Sequence, residues 1–201
     1  MPFMVREPGI SIDDAYYISL RIATRRVEDD GEAIVGRKIG FTSKVVQDML
    51  GVHQPDFGFL IDAMLYANGA EIPVVGNLIL PRAEAEIAFR LKKNLVGPGV
   101  TEQDVLDATE FIMPCFDIVD SRIKDWKIKI QDTVADNASC GIFVLGETQV
   151  GPRDVDLPNL RVVVKKNGEF LSEGLGSSVQ GNPLTAVANS LGKYDIPLKA
   201  G

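Results

Sequence analysis

The sequence is short of the residues on which much enzyme chemistry depends. His53 is its one histidine. A multi-histidine zinc site is therefore impossible, and a Ser-His-Asp triad would have to use His53. The two cysteines, Cys115 and Cys140, lack the paired spacing of a zinc site, and a reducing cytoplasm is the compartment they fit. No apolar run approaches the roughly 20 residues of a membrane span. The opening MPFMVREPG lacks the apolar core of a signal peptide. Basic residues are outnumbered, 21 against 28 acidic ones, for a net charge of −7. That balance argues against a nucleic-acid partner, which calls for a basic stripe. It leaves room for a small anionic substrate, because a bound metal reverses the local field. Any metal should be a hard cation held by oxygen.

What the chain does have is length and ordinary composition. Its 201 residues are 45% hydrophobic and 24% charged, enough to bury a core without disulfides or a structural metal. Ser11 and Asp14 fit a helix cap, and Ile12, Ala15, Ile18 and Ile22 follow at helical spacing, so a helix should run to the 28–31 stretch. AIVGRKIGFTSK reads as a strand interrupted by Gly36 and Gly40, VVQDML as a short helix, and 59–61 as a strand. Asn68-Gly69 is a turn signal. Residues 84–91 alternate as a half-buried strand should. Thr101 and Asp104 repeat the capping pattern, with Val105, Ala108 and Ile112 on a helical face. Strands are expected at 115–119, 142–145 and 160–165, the last leading into a KNGEF hairpin. Trp126, Ile128 and Ile130 alternate with Lys127 and Lys129, which also suggests a strand. Asn182-Pro183 should open a helix that Gly192 closes. The class is mixed α+β, with residues 1–70 as an N-terminal α/β part and 71–201 as a β core within one compact unit.

The acidic residues are the candidate chemistry. Glu84 and Glu86 in PRAEAEIAFR share one face of their strand, with Cα atoms about 6.5–7 Å apart. The pair could converge on one cation, or form a solvated face that Arg90 continues. Asp117 sits in the apolar run CFDIV, where burying a lone carboxylate costs on the order of several kcal/mol and so calls for a partner. Glu84, Glu86 and Asp117 together would offer three oxygen ligands to Mg²⁺ or Mn²⁺. Asp120 and Arg122 read as a structural ion pair. Lys38 reads as a surface lysine beside a glycine turn, Asp62 as a turn or cap residue, and Cys140 as a small buried residue.

PRAEAEIAF, PCFDIVDSRI, DWKIKIQDTVADNASCG, GRKIGFTSK and GVHQPDFGFLIDAM, taken together, resemble the 2-oxopent-4-enoate (2-hydroxypenta-2,4-dienoate, vinylpyruvate) hydratases. These belong to the fumarylacetoacetate hydrolase fold superfamily, beside the 4-oxalocrotonate decarboxylases. The resemblance covers nearly the whole chain. It implies a mixed β-sheet or β-roll core with an N-terminal helical part, and a divalent metal on Glu84, Glu86 and Asp117. Relatives often carry glutamate at the last position; the shorter aspartate leaves a water-bridged contact as the alternative. It further implies acid–base or binding roles for Lys38 and Asp62, and a pocket position for Ser139. Family members look as if they continue for some tens of residues beyond LKAG and begin earlier. The expectation is thus a chain shortened relative to the family, lacking C-terminal strands.

The activity this resemblance implies is addition of water to 2-hydroxypenta-2,4-dienoate, giving 4-hydroxy-2-oxopentanoate in meta-cleavage degradation of aromatic compounds. It also implies a homo-oligomer and association with 4-oxalocrotonate decarboxylase. Three alternatives stand beside it. Decarboxylation of 4-oxalocrotonate would use the same metal site. Acylpyruvate hydrolysis would need a Glu-His pair, which no sequence neighbour of His53 provides. A shortened chain could also serve as a non-catalytic partner subunit.

Overall fold

The computed structural model describes residues 2–191 and 197–201. Its elements in chain order are α1 (Phe3–Arg6), α2 (Ile12–Asp29), β1 (Ile34–Gly40), α3 (Lys44–Leu50), β2 (Asp56–Ile61), β3 (Leu65–Tyr66) and β4 (Arg82–Leu91), then α4 (Glu102–Ala108), β5 (Thr109–Val119), α5 (Ile130–Ala135), β6 (Cys140–Leu145), β7 (Arg161–Lys166), β8 (Glu169–Leu175) and α6 (Pro183–Ser190). The mixed α+β class is as expected. Among the described residues, no helix is long and apolar enough to cross a membrane.

Local chemistry fixes several of these elements. Ser11 accepts from the Asp14 amide while the Asp14 carboxylate accepts from Ser11, a reciprocal cap on α2. Thr101 and Asp104 do the same for α4. β7 and β8 form an antiparallel hairpin whose turn, Asn167-Gly168, has positive φ at both residues, as a tight hairpin requires. Asn182 caps α6 by accepting from Leu184 N. The expected closure at Gly192 lies outside the described residues.

The strands form a β1–β2 pair, a four-stranded sheet of order β3-β6-β5-β4, and the β7–β8 pair. The chain divides into two compact units that alternate in sequence. The first comprises 1–41, 47–84 and 116–145; the second comprises 42–46, 85–115 and 146–201. This grouping differs from a boundary at residue 70, because β4 and β5 are long strands whose two ends serve different units. In the first unit, Ile61, Met64, Cys140 and Phe143 form one core cluster, and Ala15, Val134 and Ala135 form another with Phe3, Ile18 and Ile130 against it. In the second, α4 lies against α6, with Glu102 accepting from Asn182 Nδ2 and Thr185 Oγ1.

Three expectations change here. Residues 126–130 are not a strand: a 3-10 turn ends at Trp126 and α5 begins at Ile130. Asp125 and Trp126 have φ of 59° and 53°, which no strand accommodates, and Asp132 caps the new helix by accepting from Lys129 N at 3.0 Å. Ile112 lies in β5, which begins directly after α4. Arg122 pairs with Asp136, not Asp120; Asp120 instead accepts from the amides of Ile79 and Leu80 at 2.8 and 2.7 Å.

Candidate active site

Sequence first explains why β1 and β2 can carry charged groups inside the first unit. The strands pair antiparallel, with Lys38 opposite Gly58 and Gly40 opposite Asp56, so all four positions share one face. The glycines make the room. A Cβ on Gly40 would collide with the Asp56 carboxylate, and one on Gly58 would collide with the Asn137 carbonyl. Alanine at either position would push the site apart.

Lys38 is the hub. Its Nζ lies 2.5 Å from Asp117 Oδ2, with the two side chains 10% and 11% exposed. It also donates to the Ala138 carbonyl at 2.9 Å. Burial disfavours the ammonium, but Asp117, Cys140 and Asp56 outweigh it and hold Lys38 above the ordinary lysine value. The buried Asp117 thus has the partner its apolar surroundings demanded.

Two further carboxylates face this pair. Asp56 is 2% exposed and accepts from Thr133 Oγ1 at 3.0 Å. Burial raises its carboxyl above the usual range, with Lys38 pulling the other way. Glu84 is exposed by area, yet crowded enough that desolvation raises it too, against the pull of Lys38 and with the repulsion of Asp117 and Asp56 added. Both observations hold for a side chain open to water on one side and enclosed on the other.

The backbone behind the cluster is strained. Asn137, Ala138 and Ser139 all have left-handed φ, at 58°, 51° and 52°. Three successive non-glycine residues there cost on the order of 1 kcal/mol or more each. Asn137 holds the run to β2: its Oδ1 accepts from Phe59 N at 2.7 Å and its Nδ2 donates to Phe59 O at 2.9 Å. Arg122 holds the other end. Its Nε donates to Asp136 Oδ1, its Nη2 to Asp136 O, and its Nη1 to Asp120 O and Cys140 O. The run turns the Ala138 carbonyl onto Lys38 and buries Ser139 Oγ 3.4 Å from Thr133 Oγ1.

Of the residues singled out in sequence, Lys38, Asp117 and Glu84 therefore share one electrostatic neighbourhood, and Ser139 lies one hydroxyl from Asp56. Glu86 follows two positions along β4 and is half-buried. Asp62 is not brought to the cluster. It is exposed past the far end of β2, six residues and roughly 20 Å of strand from Asp56. Its Oδ1 accepts from the amides of Ala33 and Ala63 at 3.0 and 2.9 Å, a turn-capping arrangement. Asp56 is the acid that sequence reasoning passed over. The signal was present: in PDFGFLI it opens an apolar run, as Asp117 interrupts one. Cys140 is 1% exposed and burial, then Asp117, push its thiol up to about 12, so it is no nucleophile at neutral pH. His53 lies exposed in a loop.

The donor chemistry suits a hard cation. Asp56, Glu84 and Asp117 set three carboxylates against one ammonium, and burial raises the proton affinity of Asp56 and Glu84. Among the described residues, no three His, Cys, Asp or Glu side chains are drawn together closely enough to hold an ion. The Asp117 carboxylate is turned to Lys38.

Comparison with known proteins gives the class first. The architecture matches that of a putative fumarylacetoacetate isomerase/hydrolase from Oleispira antarctica, with a TM-score of 0.59 over 83% of this chain and 76% of that one, at 16% identity. The fold is thus fumarylacetoacetate-hydrolase-like. A much nearer structure is 4-oxalocrotonate decarboxylase from Pseudomonas putida G7, complexed with magnesium and adipate: TM-score 0.91, 36% identity, 98% of this chain and 76% of that one. No family model matches the chain. In sequence it is 59% identical over 198 residues to a 2-hydroxypent-2,4-dienoate hydratase of Pseudomonas putida, covering 97% of this chain and 89% of the relative. It is 57% identical over 204 residues to a 2-hydroxyhexa-2,4-dienoate hydratase of Comamonas testosteroni, covering 100% and 77%. The chain belongs to the family of 2-hydroxypentadienoate (2-keto-4-pentenoate) hydratases.

Proposed function

We propose that the chain adds water to 2-hydroxypenta-2,4-dienoate, giving 4-hydroxy-2-oxopentanoate, with Lys38 and Asp56 moving the protons. The observation that carries this reading is the buried Lys38–Asp117 pair with Asp56 beside it, in a chain so similar to named hydratases. Asp56 takes the role that the family resemblance suggested for Asp62, because Asp56 shares a strand face with Lys38, whereas Asp62 lies past the end of β2 with its carboxylate capping a turn.

Glu84, Glu86 and Asp117 would hold the divalent cation, Mg²⁺ or Mn²⁺, with Asp117 reaching it directly or through water. When bound, that cation supplies Lewis-acid stabilisation of the charge that develops on the substrate's C2 oxygen. The protein's own groups do the rest. Asp56 binds a proton more readily than an exposed carboxylate does, so its side chain can both deliver a proton to carbon and take one from water. Thr133 Oγ1 fixes the Asp56 carboxylate through its hydrogen bond to Oδ2, which favours one oxygen for transfer. Lys38 offers N–H donors to developing negative charge and keeps Asp117 neutralised. Ser139, the pocket residue, would act through Thr133, whose Oγ1 lies 3.4 Å from Ser139 Oγ and donates to Asp56.

The test is loss of dienol absorbance on mixing protein with 2-hydroxypenta-2,4-dienoate, with and without a chelator. Chelator-sensitive formation of 4-hydroxy-2-oxopentanoate supports the reading. Carbon dioxide release from 4-oxalocrotonate with no hydration would replace it by the decarboxylase reading. Self-association and association with a decarboxylase belong to the same proposal, and size-exclusion chromatography of the two proteins alone and mixed tests them.

A further inference from the structure

Arg122 is a half-exposed arginine whose guanidinium is nonetheless committed on every branch. Nε donates to Asp136 Oδ1 at 2.7 Å and Nη2 to the Asp136 carbonyl at 2.9 Å. Nη1 donates to the carbonyls of Asp120 and Cys140 at 2.7 and 3.1 Å. The Arg122 amide adds a bond to Asp136 Oδ2 at 3.0 Å. An ordinary surface ion pair holds one carboxylate loosely and contributes little. Here three of the four side-chain acceptors are backbone carbonyls, which only a rigid fork of donors can satisfy together.

The places those carbonyls come from show what the fork holds. Asp136 precedes the left-handed Asn137–Ser139 run, Cys140 follows it, and Asp120 follows the end of β5. The run itself is tied down at its first residue by the Asn137–Phe59 bonds and at its last by Ser139 O, which accepts from Asp120 N at 2.8 Å. Ala138, between them, has no bond of this kind beyond the one that it makes to Lys38. A non-glycine residue leaves left-handed φ when its flanks are released. At Ala138 that change would rotate the carbonyl off Lys38 Nζ. Ser139 Oγ, 3.4 Å from the Thr133 hydroxyl that bonds Asp56, would move with it.

Resting on the hydratase reading, we propose that Arg122 is a positioning residue for the reaction. By gripping both flanks of the run, it keeps the Ala138 carbonyl on Lys38 and Ser139 beside Thr133, and so aligns the two proton-handling groups with no hydrogen bond to either.

R122K keeps the charge and loses the fork, and R122M loses both. R122K should lower kcat for 2-hydroxypenta-2,4-dienoate about 10-fold and R122M about 100-fold, with KM within about three-fold of native, since a misplacement of about 1 Å costs roughly that much. Ala138→Gly separates positioning from bracing. Glycine populates left-handed φ about as readily as right-handed, so with it the grip matters less. R122K/A138G should therefore turn over about three- to ten-fold faster than the product of the two single effects. Single effects that simply multiply, or native kcat in R122K, overturn the proposal. Hydrogen exchange read by mass spectrometry needs no turnover: peptides covering 136–140 should exchange faster in R122K than in native protein, with those from α4 unchanged. Equal protection at 136–140 overturns the grip whatever the activity. No hydration by the native protein, with faster exchange at 136–140 in R122K, overturns the hydratase reading instead and leaves the grip standing. R122K, which keeps a cation opposite Asp136, decides the matter if R122M does not fold.

Discussion

Replacing Lys38 with methionine would test the centre of the site by removing one charge and little volume. The ammonium it removes is 10% exposed and lies against an Asp117 that is 11% exposed. Breaking a buried pair from one side costs about 3–5 kcal/mol, because the surviving charge stays buried without a partner. The lost donor to Ala138 O falls within that figure, since both contacts vanish together. For a domain of this size the cost corresponds to a fall in Tm of roughly 6–20 °C. The penalty should depend on pH in a definite direction. Lys38 is the group that lowers Asp56 and Glu84, so its loss raises both further. An acid whose folded pKa lies above its unfolded one stabilises the fold below the unfolded value and loses that contribution as pH rises through the folded one. The gap between K38M and native protein should therefore widen from about pH 5 to pH 8. Urea unfolding followed by Trp126 fluorescence across that range measures it. A loss below about 1 kcal/mol, constant with pH, would mean that the pair behaves like a surface ion pair and that the site is wetter than described.

Asp56→Asn should lower kcat by about 100- to 10,000-fold, the usual worth of a positioned acid–base group. It should also raise the Tm at pH 8, because burial disfavours the ionised carboxylate; differential scanning calorimetry should show that gain shrinking as pH falls toward the acid range. Gly58→Ala should cost about 1–3 kcal/mol and most of the activity, since its methyl group drives Asn137–Ser139 away from β2; a chemical melt and a turnover assay check both. Glu84→Gln should abolish chelator-sensitive turnover and weaken Mg²⁺ binding by calorimetry while leaving the far-ultraviolet circular dichroism unchanged. Full activity with unchanged Mg²⁺ affinity in that variant would remove Glu84 from the metal assignment.

Where local chemistry determines the structure, the sequence was readable. Ser11 with Asp14, Thr101 with Asp104, Asn167-Gly168 and Asn182-Pro183 each satisfy their own backbone groups within a few residues. The apolar setting of Asp117 announced a buried partner without naming it, because Lys38 is distant in sequence. The misreadings share one cause. The Trp126–Ile130 alternation is compatible with a strand, and only the capping carboxylate of Asp132 and the positive φ before it convert the stretch to a turn and a helix. Arg122 could reach Asp120 in sequence, but backbone amides of Ile79 and Leu80 had claimed that carboxylate. Asp62 and Asp56 flank the same strand, and only the register with β1 shows which one faces Lys38.

Gly40 and Asp56 also bear on how such a chain can change over generations. Because the carboxylate fills the space a Cβ would need, position 40 cannot gain a side chain while the acid stays where it is. A lineage that gave up the acid would relax the demand for glycine opposite it, and one that gained a side chain at 40 would first have to lose or move the acid. The two positions should therefore vary together among relatives. Chains retaining both would keep the proton-handling face, and chains that have lost both would mark a branch whose chemistry has drifted.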